Sequence, residues 1–595
     1  IVMPKSLVPN QFDYNGIYVE GKRSTFRFHK PVLASCMSGM LVPAGDPIPI
    51  FPGVKTNLML NAVIRSNTMV VPPLDGIYID FFSVWIPHRI VWNHMPQFLG
   101  ENDTTAWTQS STYVYPYCNA QDLVNYLSNS VINESQIQGD VVAANNFLWT
   151  HYGFGSKTVI NSTDALYNKH VNVLAARGYY SLWNYFFRDE NYQRPVLFDK
   201  GDTGTSGEFG YLVRQYNVKS GSDLTFLSSS FSVGSGLNYE RAVLMPVNKF
   251  HDAFTSLLPQ PQFGSASIVG IGATADIKVA SSLHDAGGNI SFQAGTGAWT
   301  GVRNMVSDAG ILSTDNTYSA QGTIQAMKYT NLVADLGSAT AITINQLRSA
   351  VMYQRYLEAL ARGGRRVTEY YESIYGVKNS EAGKDYPKMI SHTRYMLGVN
   401  QVIAQADSSG SGWTSHLGDT GAYSLTNLRN VPVSEMDFTE FGYLHVLYAI
   451  RADNRYSQML PEHFFRSTLL DEYNPFFDHI GDVDVPNYLV NMNASASGNF
   501  GFQEAWWFER TQLALCTGAL NKSYGSLAYW TLGEVLDSTL VTCTPSYLCF
   551  DPGVFNDVFV SAYYTYPQFI IDLLIHGTTN KRMSQHSIPG IVGRI

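Results

Sequence analysis

Between Asp75-Gly76 and Pro87 lies a ten-residue run, Ile77 to Ile86 (IYIDFFSVWI), in which Asp80 is the only charged residue. A strand with one wet face carries a polar residue at every second position; this run is dense in Ile, Phe, Tyr, Val and Trp at both parities. It is therefore expected to be a strand covered on both faces, bounded by a turn on one side and a proline on the other. Behind it, His88 to Met95 has room for about two helical turns before Pro96 interferes. On physical grounds alone the stretch is compatible with any buried strand followed by a short helix.

Elsewhere the element signals are uneven. Residues 1–70 read as an arm and early strands, because Pro43, Pro47, Pro49 and Pro52 break helices while Leu58 to Ile64 looks extended. Residues 101–175 mix polar loop with short helices expected near Asp122–Leu127 and Asp164–Arg177, and Leu212–Val233 alternates in patches as surface strands do. The clearest helix is 344–362. Thr343 and Gln346 make a capping box, Leu347, Ala350, Val351, Leu357, Leu360 and Ala361 supply an apolar face, and Gly363-Gly364 stop it. Arg362, Arg365 and Arg366 sit at its carboxyl end, where the helix dipole favours cations, and need no other explanation.

The segment 264–335 differs in kind. It is built of Gly, Ala, Ser and Thr, lacks Pro and Cys, and holds eight charged residues. Ala273 to Ala280 (ATADIKVA) alternates as a half-exposed strand does. A stretch this long is seldom a structureless loop. No Pro/Ser linker, charge run or tandem repeat marks a domain boundary, so the chain reads as one large unit with long insertions: 1–70, 71–263, the insertion 264–335, and 336–595.

Charged residues make up 15% of the chain, against roughly 25% in an average soluble domain. Burial against neighbouring subunits explains such a deficit, and 13% aromatic content suits interfaces; a polar, uncharged β-protein fits the composition equally well. The net charge of −9 excludes a surface that grips nucleic acid throughout. Local exceptions are Lys5, Lys22, Arg23, Arg27 and Lys30 near one end, and Lys581, Arg582 and Arg594 near the other. A solvated terminus is the plain alternative for both clusters. Five cysteines, an odd number, do not form a disulfide framework and read as buried thiols of a protein assembled in cytoplasm. No apolar run reaches the roughly 18 residues of a membrane span. The sequence starts at Ile1 and shows no signal-peptide core.

Catalytic signatures are missing from the sequence: there is no GxxxxGK[ST], HExxH or GxSxG. Gly270-Ile271-Gly272 lacks the third glycine of a dinucleotide loop, and His88 and His94 point to different sides of a helix, a poor metal pair. His251-Asp252 reads as packing or capping. Asp482 and Asp484 cannot be made a glycosidase pair by spacing alone. No catalytic, metal or cofactor site is expected.

Several blocks, in order, resemble the major capsid protein of the Microviridae, most closely its gokushovirus-like branch. They are Pro72–Trp107 (PPLDGIYIDFFSVWIPHRIVWNHMPQFLGENDTTAW), Leu182–Pro195 (LWNYFFRDENYQRP), Pro246–Pro261 (PVNKFHDAFTSLLPQP), Asn345–Tyr370, Gly442–Tyr456, His479–Gly481, Gly501–Trp506, Pro567–Phe569 and Ser587–Gly590. The resemblance implies a mainly β chain with an eight-stranded antiparallel jelly-roll and long loop insertions holding short helices. It also implies a virion protein, about sixty copies of which close through pentamers into a T=1 shell around circular single-stranded DNA. A small basic DNA-binding protein, a pilot protein, an internal scaffold and a host-surface receptor are the further partners implied, with no membrane insertion. The insertion resembles a threefold spike; Gly264, Ile277, Lys278, Trp299, Arg303, Tyr318 and Asp335 stand for its host-contacting surface. Lys22, Arg23, Arg27, Lys30, Lys581 and Arg582 are the expected DNA-facing residues. The reading from another class is a carbohydrate-binding or glycan-cleaving β-protein such as an adhesin, suggested by the abundance of Tyr, Trp, Gly and Asn.

Overall fold

The computed structural model describes residues 23–101, 113–119, 148–154, 169–193, 244–264, 344–363, 366–376, 384–410, 413–477, 480–560 and 566–586, with short strands between 276 and 335 and isolated positions between 165 and 202. The chain forms two compact units, 1–261 with 366–595, and 262–365.

The first unit is built on two antiparallel sheets. Its strands are β1 (Ser24–Cys36), β2 (Val42–Pro43), β3 (Ile48–Ile50), β4 (Lys55–Ser66), β5 (Ile77–Pro87), β6 (Lys388–Met396), β7 (Val399–Ile403), β8 (Thr420–Asp437), β9 (Gly442–Ala452) and β10 (Phe569–Lys581). One sheet has the order β1-β10-β4-β8-β7 and the other β6-β5-β9-β2, with β3 also paired to β9. The chain is thus mainly β and antiparallel, and the order, with strands near both termini adjacent in one sheet, is consistent with a jelly-roll. The described residues show five strand segments per sheet where a total of eight was expected. Pro47 interrupts the chain between β2 and β3, and the short β7 extends the other sheet.

The two sheets follow different periodicities because they are covered differently. In β4 every second residue is buried, so Leu58, Leu60, Ala62 and Ile64 face the core while Lys55, Asn57 and Met59 face outward. Burying each such aliphatic side chain contributes about 1.5–3 kcal/mol. β5 and β9 are buried at nearly every position, as expected for the 77–86 run. Their inner face meets the first sheet, where the Trp85 and Phe438 rings lie 4.5 Å apart. The other face meets α1 (Leu174–Phe186), whose Tyr179, Tyr180, Leu182 and Trp183 are all buried. Trp183 Nε1 donates to Pro246 O at 2.8 Å, and Tyr179 O–H donates to Leu41 O at 2.7 Å. Gly178 lets the helix lie against β9: a Cβ there would stand 2.8 Å from His445 Nε2.

Asp80, the lone charge in the buried run, is fully buried on β5. Arg394 Nε on β6 donates to its Oδ1 at 2.7 Å, His392 Nε2 lies 3.1 Å from the same oxygen, and Arg451 on β9 donates to Oδ2. Burial pushes this carboxyl up, but the Arg451 charge and the hydrogen bonds from Arg394, Arg451 and His392 together outweigh burial and hold it below the ordinary value. The Phe250 ring sits under both guanidiniums, 4.1 Å from Arg394 and 4.4 Å from Arg451. One carboxylate therefore ties three strands of a sheet to the 244–257 segment.

Several local expectations are corrected. The two turns expected over 88–95 are a single turn, His88–Val91, followed by extended Trp92; Pro96 then helps start a second turn, Met95–Phe98, in the first-turn position where its missing N–H costs nothing. The helix expected near 164–177 runs 174–186, set by its aromatic face. The expected helices and strands over 122–127 and 212–233 lie outside the described residues. Cys36, Cys516, Cys543 and Cys549 are buried free thiols, and burial pushes Cys543 and Cys549 up to about 12. No helix among the described residues is long and apolar enough to cross a membrane.

The 262–365 unit contains α2 (Ile344–Gly363) and short antiparallel strands. Strand Asp276–Val279, expected from its alternation, pairs with Leu332–Asp335. On α2 Leu357 is buried and Ala350, Leu360 and Ala361 are half-buried, whereas Leu347 and Val351, also expected on the apolar face, are exposed. Thr343, the expected cap, lies outside the described residues.

Candidate functional site

The outer face of the first sheet has no covering layer among the described residues, and the strand register lays out its side chains in rows. Arg27, Thr578, Asn57 and Glu435 form one row, and His29, His576, Met59 and Pro432 the next. Leu33, Asp572, Val63 and Asn427 form a third, and Ser35, Ile570, Arg65 and Leu425 a fourth. Lys55 closes the face at one end, neutralised by Asp437 at 2.5 Å. Of the sixteen residues in these rows six are amides, hydroxyls or imidazoles, six are apolar and four are charged, a mixture able to hydrogen-bond a phosphodiester backbone and to contact bases without much net charge.

Cations collect at the margin where β1 meets β10. Ser24 pairs with Lys581, which brings the two basic termini of these strands side by side. Arg23 Nη1 donates to Gly53 O at 2.9 Å, Arg582 flanks the same glycine, and Lys581 Nζ lies 5.9 Å from the centre of the Phe51 ring. Arg27 lies further along the outer face. Arg23, Arg27 and the exposed Arg582, at least 582 − 27 = 555 positions apart between the two strands, are thus brought to one end of the sheet, and Lys581, paired with Ser24, stands at the same margin on the parity of Lys30. Lys30 does not join them. It is three residues from Arg27, so the period of a strand turns it to the other face, where Asp46 Oδ1 pairs with it at 2.8 Å. There it lines a cavity of about 520 Å³ beside the free edge of β1. Lys22 lies outside the described residues. Arg65, which sequence reasoning did not select, is exposed on the same face.

Of the residues expected on the spike, Ile277, Lys278 and Asp335 lie on the paired strands 276–279 and 332–335, and Arg303 starts the strand Arg303–Asp308, opposite Phe292. Gly264 has a φ of +81°, a left-handed turn that glycine tolerates. Trp299 and Tyr318 lie outside the described residues.

The connection from β9 to β10 and the 244–261 segment together build a second core from Phe254, Leu257, Val485, Val490, Phe500, Trp507 and Tyr547. Asp252 anchors it: its Oδ1 accepts the Phe254 and Thr255 N–H groups at 2.9 Å, and its Oδ2 accepts Asn454 Nδ2 and Tyr456 O–H at 2.7 Å. Capping is thus its role, as expected. Among the described residues no group of three or more His, Cys, Asp or Glu side chains is placed to hold a metal ion.

A sheet face left uncovered among the described residues and a second core beside the main one suit a subunit made to contact others. The capsid protein (F protein) family model matches residues 19–591. The chain is 27% identical over 584 residues to capsid protein VP1 of Spiroplasma virus 4, covering 95% of this chain and 94% of that one. It is 27% identical over 560 residues to capsid protein VP1 of Bdellovibrio phage phiMH2K (92% and 91% covered), and 23% identical over 599 residues to that of Chlamydia phage 1 (91% and 91%). The chain belongs to the capsid protein (F protein) family of the Microviridae, a protein of the phage virion.

Proposed function

We propose that copies of this chain close into a small T=1 icosahedral shell around circular single-stranded DNA, with the outer face of the first sheet turned toward the genome. The observation that carries this reading is the convergence of Arg23, Arg27 and Arg582 at one end of an uncovered sheet, with Lys581 at the same margin, in a chain of net charge −9. Four contacts bind weakly and reversibly, so the bulk of the genome's charge falls to other partners: a small basic protein, with a pilot protein and an internal scaffold completing the particle. The role is structural, and no step of chemistry is assigned to it.

Changing Arg23, Arg27, Lys581 and Arg582 together to Ala is expected to leave shell formation intact and to lower the DNA content per particle. For single-stranded DNA binding by purified subunits, losing four phosphate contacts should flatten the salt dependence by about 3 in the log–log slope. Equal DNA content and an equal slope would remove this face as the genome contact.

The 262–365 unit supports a second role, host attachment, because it is compact on its own. Replacing 264–335 with a Gly-Ser turn is expected to spare assembly and to reduce adsorption of particles to host cells about tenfold or more, an affinity loss of about 1.4 kcal/mol. Unchanged adsorption would rule that role out.

A further inference from the structure

Residues 461–484 carry Glu462, Asp471, Glu472, Asp478, Asp482 and Asp484 against Arg466, a net charge of 1 − 6 = −5, more than half of the chain's −9. The same segment presents apolar side chains to solvent: Phe476 is 94% exposed, and Phe464 and Leu469 are each 74% exposed. These residues sit on short 3-10 turns, Glu462–Phe465, Leu469–Asp471 and Pro475–Phe477, that are firmly pinned. Arg466 donates to Glu462 at 3.0 Å, Glu472 at 3.2 Å and Glu509 at 2.8 Å, and its guanidinium stacks 4.5 Å from the Phe508 ring. Asp471 Oδ2 accepts the N–H groups of Ser467 and Thr468 at 2.8 and 2.7 Å, and Asn474 Oδ1 accepts that of Phe476 at 3.0 Å. Exposed aromatics held in a fixed geometry lose little entropy on docking, which is how anchor residues of interfaces work.

A surface of matching chemistry exists on the same chain. In α2, Arg348, Arg355 and Arg362 recur every seven residues and so share one helix face, and the exposed Val351 and Met352 lie between them. The helix carries Glu358 as its one acidic residue, a net charge of 3 − 1 = +2. Leu357 is buried on the opposite side. Charge and apolar character thus complement each other between two surfaces that every copy of the chain carries.

We infer that the acidic aromatic segment 461–484 of one copy docks on the Arg348–Arg355–Arg362 face of α2 in a second copy. The contact rests on the shell-forming reading above. It is head-to-tail, the kind of contact that closes a ring where the rotation between copies divides a full turn. A net charge of −5 repels nucleic acid, which makes another copy the fitting occupant.

The test uses the full-length chain and follows assembly by sedimentation and electron microscopy. Two variants break one side each: Phe464→Ser with Phe476→Ser, and Arg348→Glu with Arg355→Glu. A third combines the latter with Glu472→Arg and Asp484→Arg, exchanging the charges across the contact. All changed positions are exposed, and circular dichroism with thermal unfolding verifies that each variant folds. Each one-sided variant is expected to raise the concentration needed for assembly about tenfold or more, a loss of about 1.4 kcal/mol per contact, and the charge exchange to recover most of it. Wild-type assembly by either folded one-sided variant, or no recovery on charge exchange, overturns the contact and leaves the shell reading standing. A wild-type chain that never assembles overturns both.

Discussion

Asp80→Asn is expected to cost the subunit about 3–5 kcal/mol and to remove most soluble, assembly-competent protein. The carboxylate is fully buried, and the arrangement around it is built for a full negative charge: Arg451 lies almost buried beside it, and Arg394 and His392 approach from β6. An amide keeps the shape but presents an N–H₂ group to one guanidinium and leaves Arg451 without its counter-charge. Breaking such a pair is far costlier than never having had it, because the surviving ion has no water to return to. The damage spreads, since Arg451 Nη1 also donates to Asn248 O at 2.8 Å and shares the Phe250 ring with Arg394. Denaturant unfolding of the unassembled subunit checks the magnitude. A loss under about 1 kcal/mol, the value of an exposed pair, would show that water reaches the network.

The subunit is also expected to lose stability steadily as pH falls from about 6.5 toward 3, and His445→Leu to remove the larger part of that loss. His445 is buried on β9 beneath Gly178, and neither ring nitrogen has a hydrogen-bond partner among the described residues; His88, packed against Tyr443 and Tyr115, is nearly as buried. Burial lowers His88 to about 4; burial, then the neighbouring His88 and Lys30, lower His445 to about 3. Both histidines are neutral in the folded state while the unfolded chain takes up protons below about 6.5, so unfolding binds protons and acid favours it. The window therefore runs from about 6.5, where the unfolded chain starts to protonate, down to the folded values, below which both states are protonated and the loss levels off. Linkage at 1.36 kcal/mol per pH unit gives on the order of 3 kcal/mol for His88 and 5 kcal/mol for His445. Leucine leaves no orphaned polar atom behind, so the variant should match or exceed wild type at neutral pH and unfold at a lower pH. Tryptophan fluorescence during acid titration reads this directly. An unchanged acid midpoint would mean that the imidazole is hydrated in the folded subunit.

The parts of this architecture legible in the sequence are those with a local cause. Ile77–Ile86 announces a strand covered on both faces, because no polar parity survives in it, and α2 ends where Gly363-Gly364 lets it end. The side of α2 that packs was less legible: Leu347 and Val351 satisfy an apolar periodicity and are exposed, whereas Leu357 is buried with Ala350, Leu360 and Ala361 half-buried around it. Asp80 stood out as an isolated charge, but its partner Arg451 lies 371 residues away, a distance no pattern bridges. The two basic ends were visible as compositional exceptions. That they form one margin follows from the pairing of β1 with β10, and Lys30 drops out because three residues along a strand reverse the face.

The central claim is that these surfaces exist to be covered by identical copies. Electron microscopy of the expressed full-length chain, taken across a range of concentration and salt, tests it most directly. Closed particles of uniform size, or the rings from which they build, are the expected result. A chain that stays monomeric under every condition, including in particles' native source, would contradict the account.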